Sequence, residues 1–254
     1  MGISKEHAIN ALKSRDHFFV AYAQTTRLPY VTCDEESFND QAWIFSAEEE
    51  IKAFGEKLLG EKTLIMGMRF EKKNFPQLFG ILYGIGVNSI VWNENGEKVE
   101  VELEQIAKQK DLSKVEKEKR PLLNPTLQLS AIYFLQELRR PVKNEERKQI
   151  RELEEELVAN IRKSEYLLCI NENEDDSKKV SVPFLKDKNG HILQPIFTDV
   201  IELQKFLKDK KMRILKIPFS KLSEFLIENA EAVVVNPMGF HLVLNKAQIK
   251  KMAE

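Results

Sequence analysis

Cysteine is scarce in this chain, and each cysteine stands alone. The 254 residues include two cysteines, Cys33 and Cys169, and each lies within a strand-like stretch. A disulfide framework or a zinc site of the CxxC type needs cysteines at matched spacings. We therefore expect two reduced, structural thiols.

Long apolar runs and an excess of either charge are also missing. No run approaches the roughly 20 apolar residues of a membrane span, and the N-terminal MGISKEHAINALKSRD lacks an apolar signal core. The 39 basic and 40 acidic residues leave a net charge of −1. That balance argues against nucleic-acid binding, although lysine-rich pieces occur at Lys208–Lys216 and Lys246–Lys251. We expect a cytoplasmic protein with no membrane partner, and the charge balance disfavours a nucleic-acid partner without excluding one.

The patterns of common catalytic and cofactor sites are not found either. The four histidines have no HExxH or HxH spacing, and the glycines form no GxGxxG motif and no P-loop. The acidic stretch Glu172–Asp176 lacks the glycine and distal glutamate of an EF-hand, so we interpret it as a solvated hairpin tip. We predict no metal, no cofactor and no catalytic residue. A Ser-His-Asp triad stays open, because it needs only convergence in space.

The most apolar stretch of the chain is Asn124–Arg140, NPTLQLSAIYFLQELRR. Asn124 is a good N-cap, Pro125 suits the first helical position, and Pro141 ends the run. The helix between them is apolar nearly all round, which is typical of a buried helix. The sequence therefore predicts a central helix between two bodies of the chain.

Local patterns divide the rest of the chain into short strands and helices. Thr63–Met68 is predicted as a buried strand, and Phe219–Asn229 as a helix. Asn95-Gly96 and Met238-Gly239 predict hairpins, which argue against a purely parallel sheet. The predicted N-caps include Ser46 with Glu49 as a capping box, Thr198, and Asn245 with Gln248.

The second half of the chain repeats the first. Ile44-Phe45-Ser46 aligns with Ile196-Phe197-Thr198, Asn93 with Asn236, Gly96 with Gly239, and upstream Phe18 with Leu167. The order of elements recurs as well. We predict an α/β fold of the α+β type: two homologous mixed-sheet modules at 1–110 and 149–254 that arose by internal duplication, joined through 111–148 by a linker and the buried central helix.

Three segments carry a resemblance to a known family. The central NPTLQLSAIYFLQELRRPV, the step Ile196–Asp199 and the strand ending Val233–Pro237 resemble the SseB-like family, and most closely its two-module members from Gram-positive bacteria. The resemblance implies a small α/β module with no established reaction, and it transfers no catalytic residue. Asn93-Glu94 departs from the Asn-Pro step, so a site that needs this step would exist only in the second module.

Two functions follow from these observations. The first is a non-enzymatic protein-interaction or regulatory module, in which exposed edge strands bind a protein partner or a second copy. The alternative is a small-ligand-binding protein or enzyme with a site between the two modules. Its candidate ligand-binding residues are Arg139, Arg140, Asn236 and His241, because a guanidinium pair grips carboxylates or phosphates.

Overall fold

The computed structural model describes residues 2–109, 111, 114–116, 119–172, 180–208 and 210–253. It divides into two compact units. Unit 1 consists of Met1–Val115 and Ile132–Ile150, and unit 2 of Glu116–Ala131 and Arg151–Glu254. Both units contain helices and mixed sheets, so the predicted α/β class is confirmed. The predicted module boundaries of 1–110 and 149–254 stay predictions, and the acidic tip at 173–179 lies outside the described residues.

Unit 1 is built on one seven-stranded sheet. Its elements are α1 (Lys5–Ser14), β1 (His17–Ala23), β2 (Leu28–Pro29), β3 (Val31–Cys33), β4 (Asp40–Phe45), α2 (Glu48–Gly60), β5 (Ile65–Glu71), a 3₁₀ turn (Lys72–Asn74), α3 (Phe75–Gly84), β6 (Ser89–Glu94), β7 (Glu97–Glu102) and α4 (Leu103–Ile106); a second 3₁₀ turn spans Asn144–Glu146.

The sheet of unit 1 combines one parallel pair with antiparallel neighbours. β4 and β6 run parallel, while β1 pairs antiparallel with β4 and β2 on one side and with β5 on the other. The hairpin β6–β7 turns at Asn95 and Gly96, with φ of 53° and 78°. Two successive positive φ values are the signature of a type I′ turn, so the predicted Asn-Gly hairpin is confirmed.

Both faces of β1 are covered in unit 1. On one face the ring of Phe18 stacks on Phe75 of α3, with ring centroids 3.9 Å apart. On the other face Phe19 and Phe45 pack with Ile51 of α2. Burial of these side chains on opposite faces of one strand fixes its register, because a one-residue slip would exchange the two sets.

Unit 2 contains two smaller sheets, ordered β10-β11-β13-β14 and β12-β8-β9. Its elements are α6 (Ile150–Lys163), β8 (Glu165–Glu172), β9 (Val180–Ser181), β10 (Leu185–Lys186), β11 (Ile192–Ile196), α7 (Val200–Leu207), β12 (Arg213–Pro218), a 3₁₀ helix (Phe219–Phe225), β13 (Ala232–Val235), β14 (Leu242–Asn245) and α8 (Lys246–Ala253). The helix predicted at Phe219–Asn229 is therefore a shorter 3₁₀ helix.

Strand pairing in unit 2 follows the same pattern as in unit 1. β8 and β12 are antiparallel like β1 and β5, β11 and β13 are parallel like β4 and β6, and β13–β14 is an antiparallel hairpin. A bridge joins Leu167 to Phe197, where unit 1 pairs Phe19 with Phe45. The structural counterpart of Leu167 is thus Phe19, one residue later than the Phe18 of the sequence alignment.

The central helix α5 spans Pro125–Leu138 and begins at the predicted proline. Its residues through Ala131 group with unit 2, and those from Ile132 onward group with unit 1. Leu127, Ile132 and Leu135 are buried, as the apolar pattern predicts. Over the described part of the chain, no helix has the length and apolar character needed to cross a membrane.

Helix caps are less well predicted than helices. α2 begins after Ala47, and Ser46 donates to Glu50 Oε2 (2.9 Å) instead of forming a capping box with Glu49. Asp199, not Thr198, caps α7. The box of Asn245 and Gln248 is confirmed by reciprocal bonds of 2.9 and 2.8 Å. Short polar side chains next to a helix start compete for the same N–H groups, so neighbouring candidates are hard to separate by sequence.

Adding a methyl group at two glycines of unit 1 should change the free energy of unfolding in opposite directions. Gly96 has φ +78°, Gly80 lies in α3, and a Cβ at either meets nothing within 4 Å. We expect Gly96→Ala to lower the free energy of unfolding by about 1–2 kcal/mol, because a side chain disfavours left-handed backbone. Gly80→Ala should raise it by up to about 1 kcal/mol through helix propensity.

Urea unfolding followed by circular dichroism measures both changes, and each variant is the steric control for the other. Destabilisation of similar size in the two variants would contradict the assignment of a type I′ turn to Asn95-Gly96.

Candidate functional site

Asn236 joins two turns of unit 2. It follows β13, and its side chain accepts the N–H of Thr198 (3.0 Å) and donates to Thr198 Oγ1 (2.8 Å). Both residues are fully buried. Asn236 adopts φ 49°, a left-handed conformation that asparagine tolerates better than most residues. The turn after β11 is thereby fixed to the turn after β13.

Asp199 completes this hydrogen-bonded cluster. Its Oδ1 accepts the N–H groups of Ile201 (2.8 Å) and Glu202 (3.0 Å), which are otherwise unpaired at the start of α7. Its Oδ2 accepts from Thr198 Oγ1 (2.7 Å) and from Gln128 Nε2 of α5 (2.6 Å). Thr198, Asp199 and Asn236 therefore bond to one another, to the start of α7 and to α5, which identifies the cluster as a structural bracket.

Glu202 lies beside the bracket and is buried without matching hydrogen bonds. Its carboxylate packs against Gly239, where a Cβ would come within 2.5 Å of Oε2. Oε1 pairs with Lys205 at 2.5 Å, and Oε2 has no hydrogen-bond partner. Burial raises the pKa of Glu202, and the nearby Lys205 opposes that rise only in part.

The corresponding glutamate of unit 1 is better satisfied. Glu50 accepts from Ser46 Oγ (2.9 Å) and from the N–H of Gly96 (3.2 Å). In unit 2 the hydroxyl of Thr198 donates to Asp199, and the N–H of Gly239 donates to the carbonyl of Asn236. Glu202 loses both donors because its neighbours bond elsewhere.

His241 lies at the end of the connection 236–241, at the protein surface. Its N–H donates to the carbonyl of Asn236 (3.1 Å), and its ring Nδ1 is 3.3 Å from the carbonyl oxygen of Pro237. Its φ is 53°. The connection has positive φ at Asn236 and His241 and not at Gly239. β13 and β14 pair antiparallel across it, so the hairpin predicted around Met238-Gly239 is confirmed.

The two predicted arginines lie in unit 1 and bind its backbone. Arg139 Nη1 donates to the carbonyl of Thr25 (2.7 Å), and burial lowers the pKa of Arg139. Arg140 donates to the carbonyls of Glu61 (3.1 Å) and Glu146 (2.9 Å) and pairs with Glu137 (2.7 Å). Both guanidinium groups therefore make structural contacts within unit 1.

The structure thus groups Arg139 with Arg140 in unit 1 and Asn236 with His241 in unit 2. A ligand site formed by these four residues stays a prediction.

Metal and thiol chemistry find little support in the described ranges. No group of three or more His, Cys, Asp or Glu residues there is placed to hold a metal ion. His7 Nε2 is 2.7 Å from Glu94 Oε2, and His191 Nδ1 is 2.8 Å from Asp187 Oδ2. Cys169 is buried and its pKa is raised to about 11, which keeps the thiol protonated and inert.

The free edge of β5 is the feature that sequence reasoning missed. Thr63–Met68 was predicted to be buried, yet β5 spans Ile65–Glu71 at the border of the sheet, with Met66 47% and Met68 39% exposed. Apolar composition alone does not tell an edge strand from a central one. The charged Arg69 and Glu71, which the predicted range left out, were the available signal of an edge.

The alternation of hydrogen bonds between β5 and β1 shows which residues of β5 direct their backbone N–H and C=O groups outward. The N–H of Gln24 donates to the carbonyl of Leu64 (3.0 Å), and that of Lys72 to the carbonyl of Asp16 (2.8 Å). Antiparallel ladders alternate, so the even-numbered residues of β5 bond to β1. The backbone groups of Ile65, Gly67, Arg69 and Glu71 therefore point away from β1; we call them the β5 edge. The carbonyl of Ile65 accepts a hydrogen bond from Gln24 Nε2 (3.1 Å).

A groove runs beside this edge, between α2 and β5. Its volume is about 520 Å³. Its apolar floor is formed by Phe19, Ile51 and Ile65, and its rim carries charged residues that include Glu48 and Glu56. Gly67 brings the strand close to α2, because a Cβ there would lie 3.1 Å from Ile51. The groove and the β5 edge form one continuous surface.

Three other edge strands, β3, β7 and β12, are protected. Gln136 of α5 accepts the N–H of Val31 (3.2 Å) and donates to its carbonyl (2.9 Å), so a side chain covers β3. β7, with the sequence EKVEVE, carries four charged residues and packs against α1. In β12 the outward positions are Ile214, Lys216 and Pro218, where lysine and proline discourage pairing.

The bracket predicts a specific loss of stability. We expect Asn236→Ala to lower the free energy of unfolding by about 2–4 kcal/mol, because it leaves the buried N–H of Thr198 unpaired and forces alanine into left-handed backbone. Asn236→Gly keeps the backbone freedom and should lose less. Urea unfolding of both variants separates the hydrogen bonds from the conformation. Equal losses would assign the whole effect to the side chain.

The burial of Glu202 should make the stability of the folded protein depend on pH. Because its pKa is raised in the folded protein, the fold binds a proton that the unfolded chain has released, and stability falls as pH rises through that window. Glu202→Gln removes this titration. We expect the difference in melting temperature, Glu202→Gln minus wild type, to increase from about pH 5 to about pH 8.

The exposed Glu224 serves as the control position, and Glu224→Gln should show no such trend. A constant difference between Glu202→Gln and wild type across this pH range would contradict the burial argument.

Comparison with known proteins gives one family. The SseB protein N-terminal domain matches residues 144–251. No curated protein matches the chain. Among solved structures, Tic22 from Plasmodium falciparum is 12% identical with a TM-score of 0.23, covering 96% of this chain and 94% of that chain. Anabaena Tic22, described as protein transport, is 12% identical with a TM-score of 0.21, covering 92% of each chain. TM-scores of this size support no conclusion about fold or function.

The match coincides with the part of the chain that holds α6, the two sheets of unit 2, the bracket and most of α8. It agrees with the resemblance found in the residues themselves. Residues 144–251 thus match an SseB-like domain, which supports the SseB-like assignment of this part of the chain.

Proposed function

We propose that this protein is a non-enzymatic interaction module that binds a protein through the β5 edge and the adjoining groove. The observation that carries the proposal is the exposure of a seven-residue edge strand with outward N–H and C=O groups. Such an edge offers a template for strand addition, in which backbone bonds give affinity and side-chain pockets give specificity. Soluble proteins normally protect edges of this length, so an unprotected one indicates use.

Side chains along β5 favour the same reading. Met66 and Met68 expose apolar, flexible side chains of the kind that adapt to a partner surface. Two of the four candidate ligand-binding residues make structural contacts: Asn236 lies within the bracket, and Arg140 binds carbonyls of its own unit. These contacts support a binding role over a catalytic one.

We also propose that the two halves of the chain are copies of one module. The recurrence of the antiparallel, parallel and hairpin pairings in the same order supports duplication. So does the recurrence of the ring pair Phe18–Phe75 as Tyr166–Phe219. In this proposal the two copies have diverged at the edge strand, where β5 is open and β12 is protected. Location in the cytoplasm remains a prediction from the sequence.

The test is a comparison of captured proteins. Tagged wild-type protein and the double variant Met66→Lys, Met68→Lys are used to capture partners from native cells, and bound proteins are identified by mass spectrometry. Ile214→Lys is the matched control, because Ile214 is 45% exposed on the protected strand β12. We expect a near-stoichiometric protein that wild type and control retain and the β5 variant loses.

Two results would contradict the proposal. One is a partner that all three proteins bind equally. The other is catalytic turnover by the purified protein that disappears when one polar residue is replaced.

A further inference from the structure

We propose that the β5 edge binds the β5 edge of a second copy of this chain, so that the two strands run antiparallel about a two-fold axis at Met68. This inference rests on the proposed function, since it names the partner of the same surface. The backbone register of β5, the side chains that would face each other and the rim of the groove support a second copy.

The backbone of β5 is complementary to itself. When Met68 faces Met68 of the second copy, Ile65 faces Glu71 and Gly67 faces Arg69. All four are outward residues, and none is proline, so each facing pair can exchange two N–H···O=C bonds. At Ile65 the carbonyl would do so by sharing with, or displacing, Gln24 Nε2 (3.1 Å). The whole length of β5 is used in this register.

Facing side chains are also compatible. On one face of the joined sheets Met66 lies opposite Phe70 of the second copy, and the two Met68 side chains meet at the axis. The exposed methionines thereby become covered by apolar neighbours. No like charges face each other, because Arg69 lies opposite glycine and Glu71 lies opposite isoleucine.

The rim of the groove offers one carboxylate to an incoming arginine. In the paired register Arg69 of the second copy would stand opposite Gly67, at the rim that carries Glu56 and the ion pair Glu48–Lys52 (2.8 Å). Within its own strand Arg69 pairs with Glu71 at 2.9 Å. Glu56 is therefore the carboxylate with which Arg69 of the second copy would pair.

The same pairing is disfavoured at the edge strand of unit 2. Of the outward positions of β12, Pro218 has no N–H to donate and Lys216 carries a charge that already pairs with Glu165 at 2.8 Å. The contrast supplies a control within the same chain.

Sedimentation velocity of the full chain tests the association. We expect wild type to shift from monomer to dimer across about a hundredfold range of concentration, because an interface built on one strand pair is small and weak. Arg69→Pro removes one outward N–H and the arginine, and leaves the ladder to β1 intact; it should remain monomeric. Lys216→Pro, at an outward position of β12, should dimerise like wild type. Circular dichroism verifies that both variants fold.

Cysteine cross-linking tests the register independently. In a Cys33→Ser background, Met68→Cys brings two thiols face to face across the axis, with Cα atoms about 4.5 Å apart, within the range that a disulfide spans. Mild oxidation should then give a covalent dimer. Met66→Cys faces Phe70 of the second copy and should cross-link poorly.

The outcomes separate this inference from the proposed function. A wild type that stays monomeric, together with a captured partner that depends on β5, would overturn the second copy as occupant and leave the interaction surface intact. A dimer that persists in Arg69→Pro would place self-association elsewhere and overturn the inference. Preferential cross-linking at Met66 would overturn the register.

Discussion

Backbone N–H and C=O groups at the border of a sheet must find partners or remain exposed, and this constraint governs much of the architecture of the chain. The amide of Gln136 covers β3 as another strand would. Charges and α1 protect β7, while Lys216 and Pro218 protect β12. The β5 edge is less protected than these three: Gln24 binds the carbonyl of Ile65, Arg69 and Glu71 pair with each other, and none of its outward residues is proline. That difference turns a general constraint into a candidate site.

A second constraint fixes the turns that follow the parallel strands. In unit 2 Asn236 ties the turn after β11 to the turn after β13, and Asp199 caps α7 while binding Gln128 of α5. In unit 1 the carbonyl of Asn93 accepts the N–H of Ser46 at 2.9 Å. Buried polar groups of this kind rigidify the fold when every member is satisfied. Glu202, beside the bracket, has one carboxylate oxygen without a hydrogen-bond partner, and burial raises its pKa.

Much of the fold was predictable because it is encoded locally. The type I′ turn at Asn95-Gly96, the helix that begins at Pro125 and the cap at Asn245 each depend on a few neighbouring residues. Position within a sheet is not encoded in this way. Thr63–Met68 has the composition of a buried strand, yet β5 lies at an edge because, among the residues that the structure describes, only β1 pairs with it. The roles of Arg139 and Arg140 were missed for the same reason, since their acceptors are carbonyls distant in sequence.

The sequence by itself determined the α/β class, the order of most elements, the apolar central helix and the SseB-like character of the second half. These follow from periodicity, turn residues and short motifs, which act over a few residues of chain. Only the tertiary structure decided which strands lie at sheet edges, which polar side chains are consumed by buried hydrogen bonds, and where a surface is left open. Those outcomes depend on pairings between distant segments, because the energy of an edge or a buried carboxylate is set by whatever packs against it.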